Sequence, residues 1–114
     1  MPFVEATRNL LLDELDTLAP YASVHTADPG ATGAAEAAGG SYTRQAITWS
    51  AAAAGSKTFT ASVQMQIPAG TTITHGGLWS AVSGGNWRGG EELDAPQSYP
   101  TGGVYDLTFT VTAA

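Results

Sequence analysis

The chain has 114 residues, no cysteine and a formal net charge of −6, with only 12% charged side chains. That length holds one modest core, and the missing thiols exclude a disulfide framework or a thiolate metal site. The four cations Arg8, Arg44, Lys57 and Arg88 are scattered, so there is no basic stripe to follow a phosphate backbone and no nucleic-acid partner is expected.

The opening MPFVEATRN has neither a basic n-region nor an apolar h-region, and is not expected to be a signal peptide. No apolar run approaches the roughly 20 residues a membrane helix needs, so no membrane partner is expected. Retention in the producing cell's cytoplasm, or exit only inside a larger particle, is the corresponding expectation. Residues 1–6 read as an N-terminal arm, and residues 7–114 as a single domain.

Residues 7–19 form the one predicted helix, capped by Thr7 and ended by Pro20. Leu11, Leu15 and Leu18, with Leu12 beside them, make an apolar stripe, and Asp13, Glu14 and Asp16 take the other faces. So short a helix needs a partner surface. The expected partner is the sheet of its own domain; the alternative is a neighbouring molecule.

Beyond Pro20 the period changes to two. Tyr21–Thr26 and Tyr42–Trp49 read as strands, and residues 51–55 as a loop. Between those strands lies His25–Gln45, HTADPGATGAAEAAGGSYTRQ, which opens on the Asp28-Pro29-Gly30 turn and closes on Gly39-Gly40. A stretch so rich in Gly and Ala cannot fill a core, so it is expected to cross the surface as an ordered loop and to contact a neighbouring subunit.

Lys57–Ile67 is the clearest strand, with Phe59, Ala61, Val63, Met65 and Ile67 inward. Thr71–Val82 follows, interrupted by Gly76-Gly77, which indicates a bulge or a close backbone approach. Ser83–Asn86 is the hairpin turn, Trp87–Leu93 returns from it, and 94–102 is a proline-containing connection. The last strand, Val104–Thr112, turns Tyr105, Leu107, Phe109 and Val111 inward. These strands and glycine-rich turns predict a mainly β chain: an antiparallel β-sandwich, Greek-key or jelly-roll-like, with one short N-terminal α-helix.

Candidate chemistry is sparse. A zinc site from His25, Asp28 and His75 would need their strands adjacent and a fourth ligand the sequence does not supply; hydrogen-bonded structural roles suit both histidines better. Glu91, Glu92 and Asp94 read as a charged hairpin end and not as a catalytic pair, and they are too few for a convincing calcium site. No nucleophile or phosphate-loop motif is present. Neither enzymatic activity nor a metal or cofactor is expected. Trp79 is assigned to the core; Trp87 reads as core, protein-interface anchor or sugar platform.

The spaced pattern H-T-A-D-P-G-x-x-G-x-x-E-x-x-G-G-x-Y-x-R-Q-A, then Thr74-His75-Gly76-Gly77-Leu78-Trp79 and Gly84-Gly85, resembles a family of small virion structural proteins of tailed bacteriophages. They are described variously as head decoration, minor capsid or tail-fibre proteins, and the resemblance runs over residues 8 to 112. It implies a virion location, with cementing of the capsid surface as the leading role. The implied partners are the major capsid protein and further copies of the chain, in a trimer or other small homo-oligomer. The alternative is a tail-fibre or receptor-binding module that recognises a host glycan. The residues expected at the protein contact are Asp28, Pro29, Gly30, Glu36, Gly39, Gly40, Tyr42 and Arg44 in the loop and its exit, with Trp87 and Arg88 beyond the hairpin turn.

Overall fold

The computed structural model describes residues 4–112. The chain is mainly β and antiparallel, with its helical segment at the N-terminal end. The helical segment is α1 (Glu5–Asp13) followed by α2 (Leu15–Leu18). The strands are β1 (Tyr21–His25), β2 (Gln45–Ala46), β3 (Ser56–Thr58), β4 (Val63–Ile67), β5 (Thr71–Trp79), β6 (Trp87–Tyr99), β7 (Gly103–Leu107) and β8 (Thr110–Thr112). One sheet has the order β2-β1-β5-β6, and β3 with β8 and β4 with β7 form two strand pairs.

Alternation along these strands builds the core. Ala22 and Val24 of β1 and Leu78 of β5 share one face by register, and the buried cluster they enter contains Phe59, Val63, Met65, Ile67, Ile73, Leu107 and Phe109. Edge-on aromatic contacts join Trp49 to Phe59 and Phe59 to Phe109, with centroids 4.9 and 5.8 Å apart. Gly76 and Gly77 account for the interruption in β5: they face opposite sides of the sheet, each beneath an aromatic ring. A Cβ on Gly76 would lie 2.6 Å from Phe109, and one on Gly77 would collide with Trp87. Close approach, and not a turn, is what these glycines serve.

Several element boundaries differ from the sequence expectations. The helix starts at Glu5, with Val4 as N-cap and no side-chain cap bond, so Thr7 lies inside it; of the predicted arm, residues 1–3 lie outside the described residues. The helix is interrupted at Glu14, and its predicted stripe does not close on the core: Leu12 is buried and Leu15 packs at the core's edge, while Leu11 and Leu18 are exposed. The strand expected over Tyr42–Trp49 shrinks to Gln45–Ala46 plus a bridge from Trp49 to Phe59. The long strands predicted over 57–67 and 104–112 each break in two, because β3 pairs with β8 while β4 pairs with β7. Ala61, expected inward, falls in the first of these breaks and is exposed. In β6, Ile73 faces Gln97 but His75 faces Glu92, so Leu93–Pro96 bulge out of the ladder. Proline, which has no N–H to give, is tolerated there on an edge strand, and the strand resumes to Tyr99.

Candidate interaction site

The loop that follows β1 does not stand clear of the domain. It opens with Asp28 accepting the Gly30 N–H (2.8 Å), an Asx turn, while the buried Pro29 presents its carbonyl to the N–H groups of Gly33 and Ala34, each at 3.0 Å. Residues 35–37 then pair with the edge of β1: Thr26 N–H donates to Ala35, Ala37 N–H donates to Val24, and His25 bridges to Glu36. The loop therefore continues the sheet where β2 stops.

Beneath it lies the outer face of the sheet. Ser23, His25, Gly77 and Trp79 share that face by register. Trp87 lies over it, edge-on to His25 (5.1 Å) and Trp79 (5.2 Å), with its indole N–H on the Gly30 carbonyl at 3.2 Å. Gly33 fits against both tryptophans, with no room for a Cβ. A directional hydrogen-bond chain runs through the centre. The Ala34 carbonyl can only accept, so His25 Nδ1 carries the proton directed at it (2.8 Å). His25 Nε2 then accepts from Ser23 Oγ (2.8 Å), which itself accepts from the Trp79 indole (3.0 Å). Burial holds His25 below the usual histidine range, against the pull of the Ala34 carbonyl and Glu36. Ser23 and His25 are both fully buried, so this hydroxyl–imidazole pair is structural.

A second cluster closes the loop's exit. Arg44 grips Glu36 with two parallel bonds, Nε to Oε2 at 3.0 Å and Nη2 to Oε1 at 2.9 Å. Its Nη1 donates to the carbonyls of Ala81 (3.0 Å) and Gly84 (2.7 Å) at the β5–β6 tip, and the guanidinium lies 3.6 Å over the Trp79 ring. Tyr42 donates to Glu36 Oε2 (2.7 Å) and accepts from the Val24 N–H (3.2 Å). Burial would raise the Glu36 carboxyl, but Arg44 and Tyr42 outweigh it and hold it below the usual glutamate value. The same burial and the same carboxylate push the Tyr42 phenol up.

The structure thus brings together Glu36, Tyr42 and Arg44; Trp87 meets Trp79, the ring on which Arg44 stacks, and buried Pro29 belongs to the turn that opens the loop. Gly39 and Gly40 form an exposed positive-φ turn, and Arg88 lies apart, with Nε on the Leu18 carbonyl at 3.0 Å. The zinc arrangement does not form. His25 and His75 are cross-strand partners, but both His25 nitrogens are engaged and Asp28 is turned to Gly30. Among the described residues no His/Asp/Glu group is placed to hold a metal ion, and no helix is long and apolar enough to cross a membrane.

Sequence reasoning missed a third cluster, around Lys57. Its ammonium is fully buried and donates to Asp13 Oδ1 (2.8 Å) and the Ser50 carbonyl (2.8 Å), with Asp16 at 3.2 Å. Burial alone would lower the Lys57 pKa, but the two aspartates reverse this and raise it. Asp13 is lowered by the Lys57 bond and by the Ala52 N–H. Asn9 adds a bond from the Gly55 N–H at 3.1 Å. The helix is therefore docked on β3 largely through polar bonds. The available signal was parity: Lys57 shares the inward phase of Phe59 and Val63, and Asp13 and Asp16 stand three apart on the helix.

The family model described as "Podophage GP4 fiber I protein gp80" matches residues 6–113. No curated protein matches the chain.

Proposed function

The chain belongs to the podophage GP4 fiber I protein gp80 family, a tailed-phage virion structural family, and from that premise we propose that it is a non-enzymatic fibre component held in the particle by non-covalent contact with a neighbouring virion protein. The observation that carries this reading is the extent of the match, residues 6–113, which takes in both the loop motif and the β5–β6 hairpin. A low density of charge supports it, since a surface poor in charged groups loses little hydration on assembly. Binding the assembled particle and not its free subunits stabilises the assembly by mass action.

A glycan-reading role has less support. Trp87, the ring that would stack on a sugar, is packed over Gly77 and Gly90 and is bonded to Gly30. Capsid decoration is the second reading, favoured by the absence from this sequence of the internal repeats from which fibre shafts are built. The test is a particle reconstruction from wild-type phage and from phage lacking this gene. Difference density in a fibre at the tail is expected. Density on the outer head surface, at junctions between capsid subunits, would replace the fibre reading with decoration, and intact density everywhere would refute both.

A further inference from the structure

Six large apolar residues are exposed among the described residues, and four of them lie on the helical segment or at its N-cap: Val4 (70%), Leu10 (69%), Leu11 (49%) and Leu18 (39%). Leu10 and Leu11 stand side by side on α1, and Leu18 follows at the end of α2. The opposite side is the one occupied: Leu12 is buried, while Asn9 and Asp13 bond to the segment before β3. The outward stripe is thus a second face, additional to the one that docks the helix on its own domain.

Charge says what kind of surface covers it. The segment carries Glu5, Asp13, Glu14 and Asp16 against Arg8 alone, and no basic residue stands in the last turn of α1. Acids at a helix C-terminus add to the negative end of its dipole, an unfavourable placement within the monomer. Lys57 relieves it only in part, since the Asp13 and Asp16 side chains stay 43% and 59% exposed, and exposed Glu14 stands within the stripe itself. A second copy of the chain offers a poor basic counterpart: Lys57 is buried, Arg44 is locked on Glu36, Arg8 belongs to the same helix, and exposed Arg88 already sits at the end of this segment, with Nε on the Leu18 carbonyl.

We infer that the outward face of α1 and α2, with Leu10, Leu11 and Leu18 around Glu14, docks into an apolar groove bordered by lysine or arginine on another virion protein. This rests on the virion reading above and names the surface that reading leaves open. It is helix-in-groove recognition with a charged rim that sets orientation.

The test is loading of the purified chain onto particles from phage lacking this gene, read by co-sedimentation at low and high salt. Wild type is expected to load, more weakly at high salt. Leu10→Ser/Leu11→Ser and, separately, Glu14→Lys should each weaken loading at least ten-fold at unchanged melting temperature, as expected for exposed positions. Val104→Ser, also exposed and apolar but remote on β7, should load as wild type. If wild type loads and the leucine variant loads equally well, this inference falls and the virion reading stands. A wild-type oligomer that the leucine variant converts to monomer would assign the face to a second copy and also overturn it. Failure of the wild type to load would remove the virion reading and the inference together.

Discussion

Replacing Arg44 by alanine removes a side chain that ties together the loop after β1, the β5–β6 tip and the outer face of the sheet. It deletes two bonds to Glu36, two to the carbonyls of Ala81 and Gly84, and the stack on Trp79. Removing one partner of a buried pair costs about 3–5 kcal/mol. The lower end applies, because the Glu36 side chain is 20% exposed and keeps its bond from Tyr42, so its charge rehydrates in part. Unfolding entropy is about 2.1 cal/mol/K per residue. For 114 residues, a loss of about 3 kcal/mol then lowers Tm by roughly 12 °C. Differential scanning calorimetry at neutral pH measures this. Amide exchange should show the loss first at residues 34–37 and 80–86. Arg44→Lys keeps the charge but not the planar fork, and should recover less than half. The paired change Glu36→Leu/Arg44→Met should be less damaging than Arg44→Ala, since no carboxylate is left stranded. A drop of under about 3 °C for Arg44→Ala, or a paired variant worse than the single one, would refute the reasoning.

Gly77→Ala should cost about 1–3 kcal/mol through overpacking against Trp87 and Ser23, visible as a lower urea midpoint with a blue or red shift of tryptophan emission. Lys57→Met fills the same volume but releases Asp13, Asp16 and the Ser50 carbonyl; hydrogen exchange should show residues 5–18 opening while β4 and β7 stay protected. Stability should fall with acid in two windows. His25 is held below its unfolded value of 6.5, so the stability from its neutral form is complete above that pH and lost as pH falls through the folded value. Glu36 and Asp13 are held below 4.5 and 3.8, so their contributions are lost only below those values. A Tm–pH profile of His25→Gln should lack the first step and keep the second.

Local pattern was enough to read the mainly β class, the inward parity of Phe59, Val63, Met65 and Ile67 and of Leu107 and Phe109, the Asp28 turn and the burial of Trp79, because each depends on side-chain alternation or on the preferences of a few adjacent residues. It was enough, too, for the loop motif that identifies the family. What it left undecided was where partners lie. The strand predicted over 57–67 is a single run by its own alternation; it is broken because its two halves pair with different strands far along the chain. The loop looked free because it has no large apolar side chain, yet it is held by Gly33 fitting beneath two tryptophans and by Glu36 meeting Arg44. The helix looked committed to the core because its leucines are periodic, yet a buried lysine took the inner side and left Leu11 and Leu18 outside. Alternation states which way a side chain points; only the assembled sheet determines what it finds there.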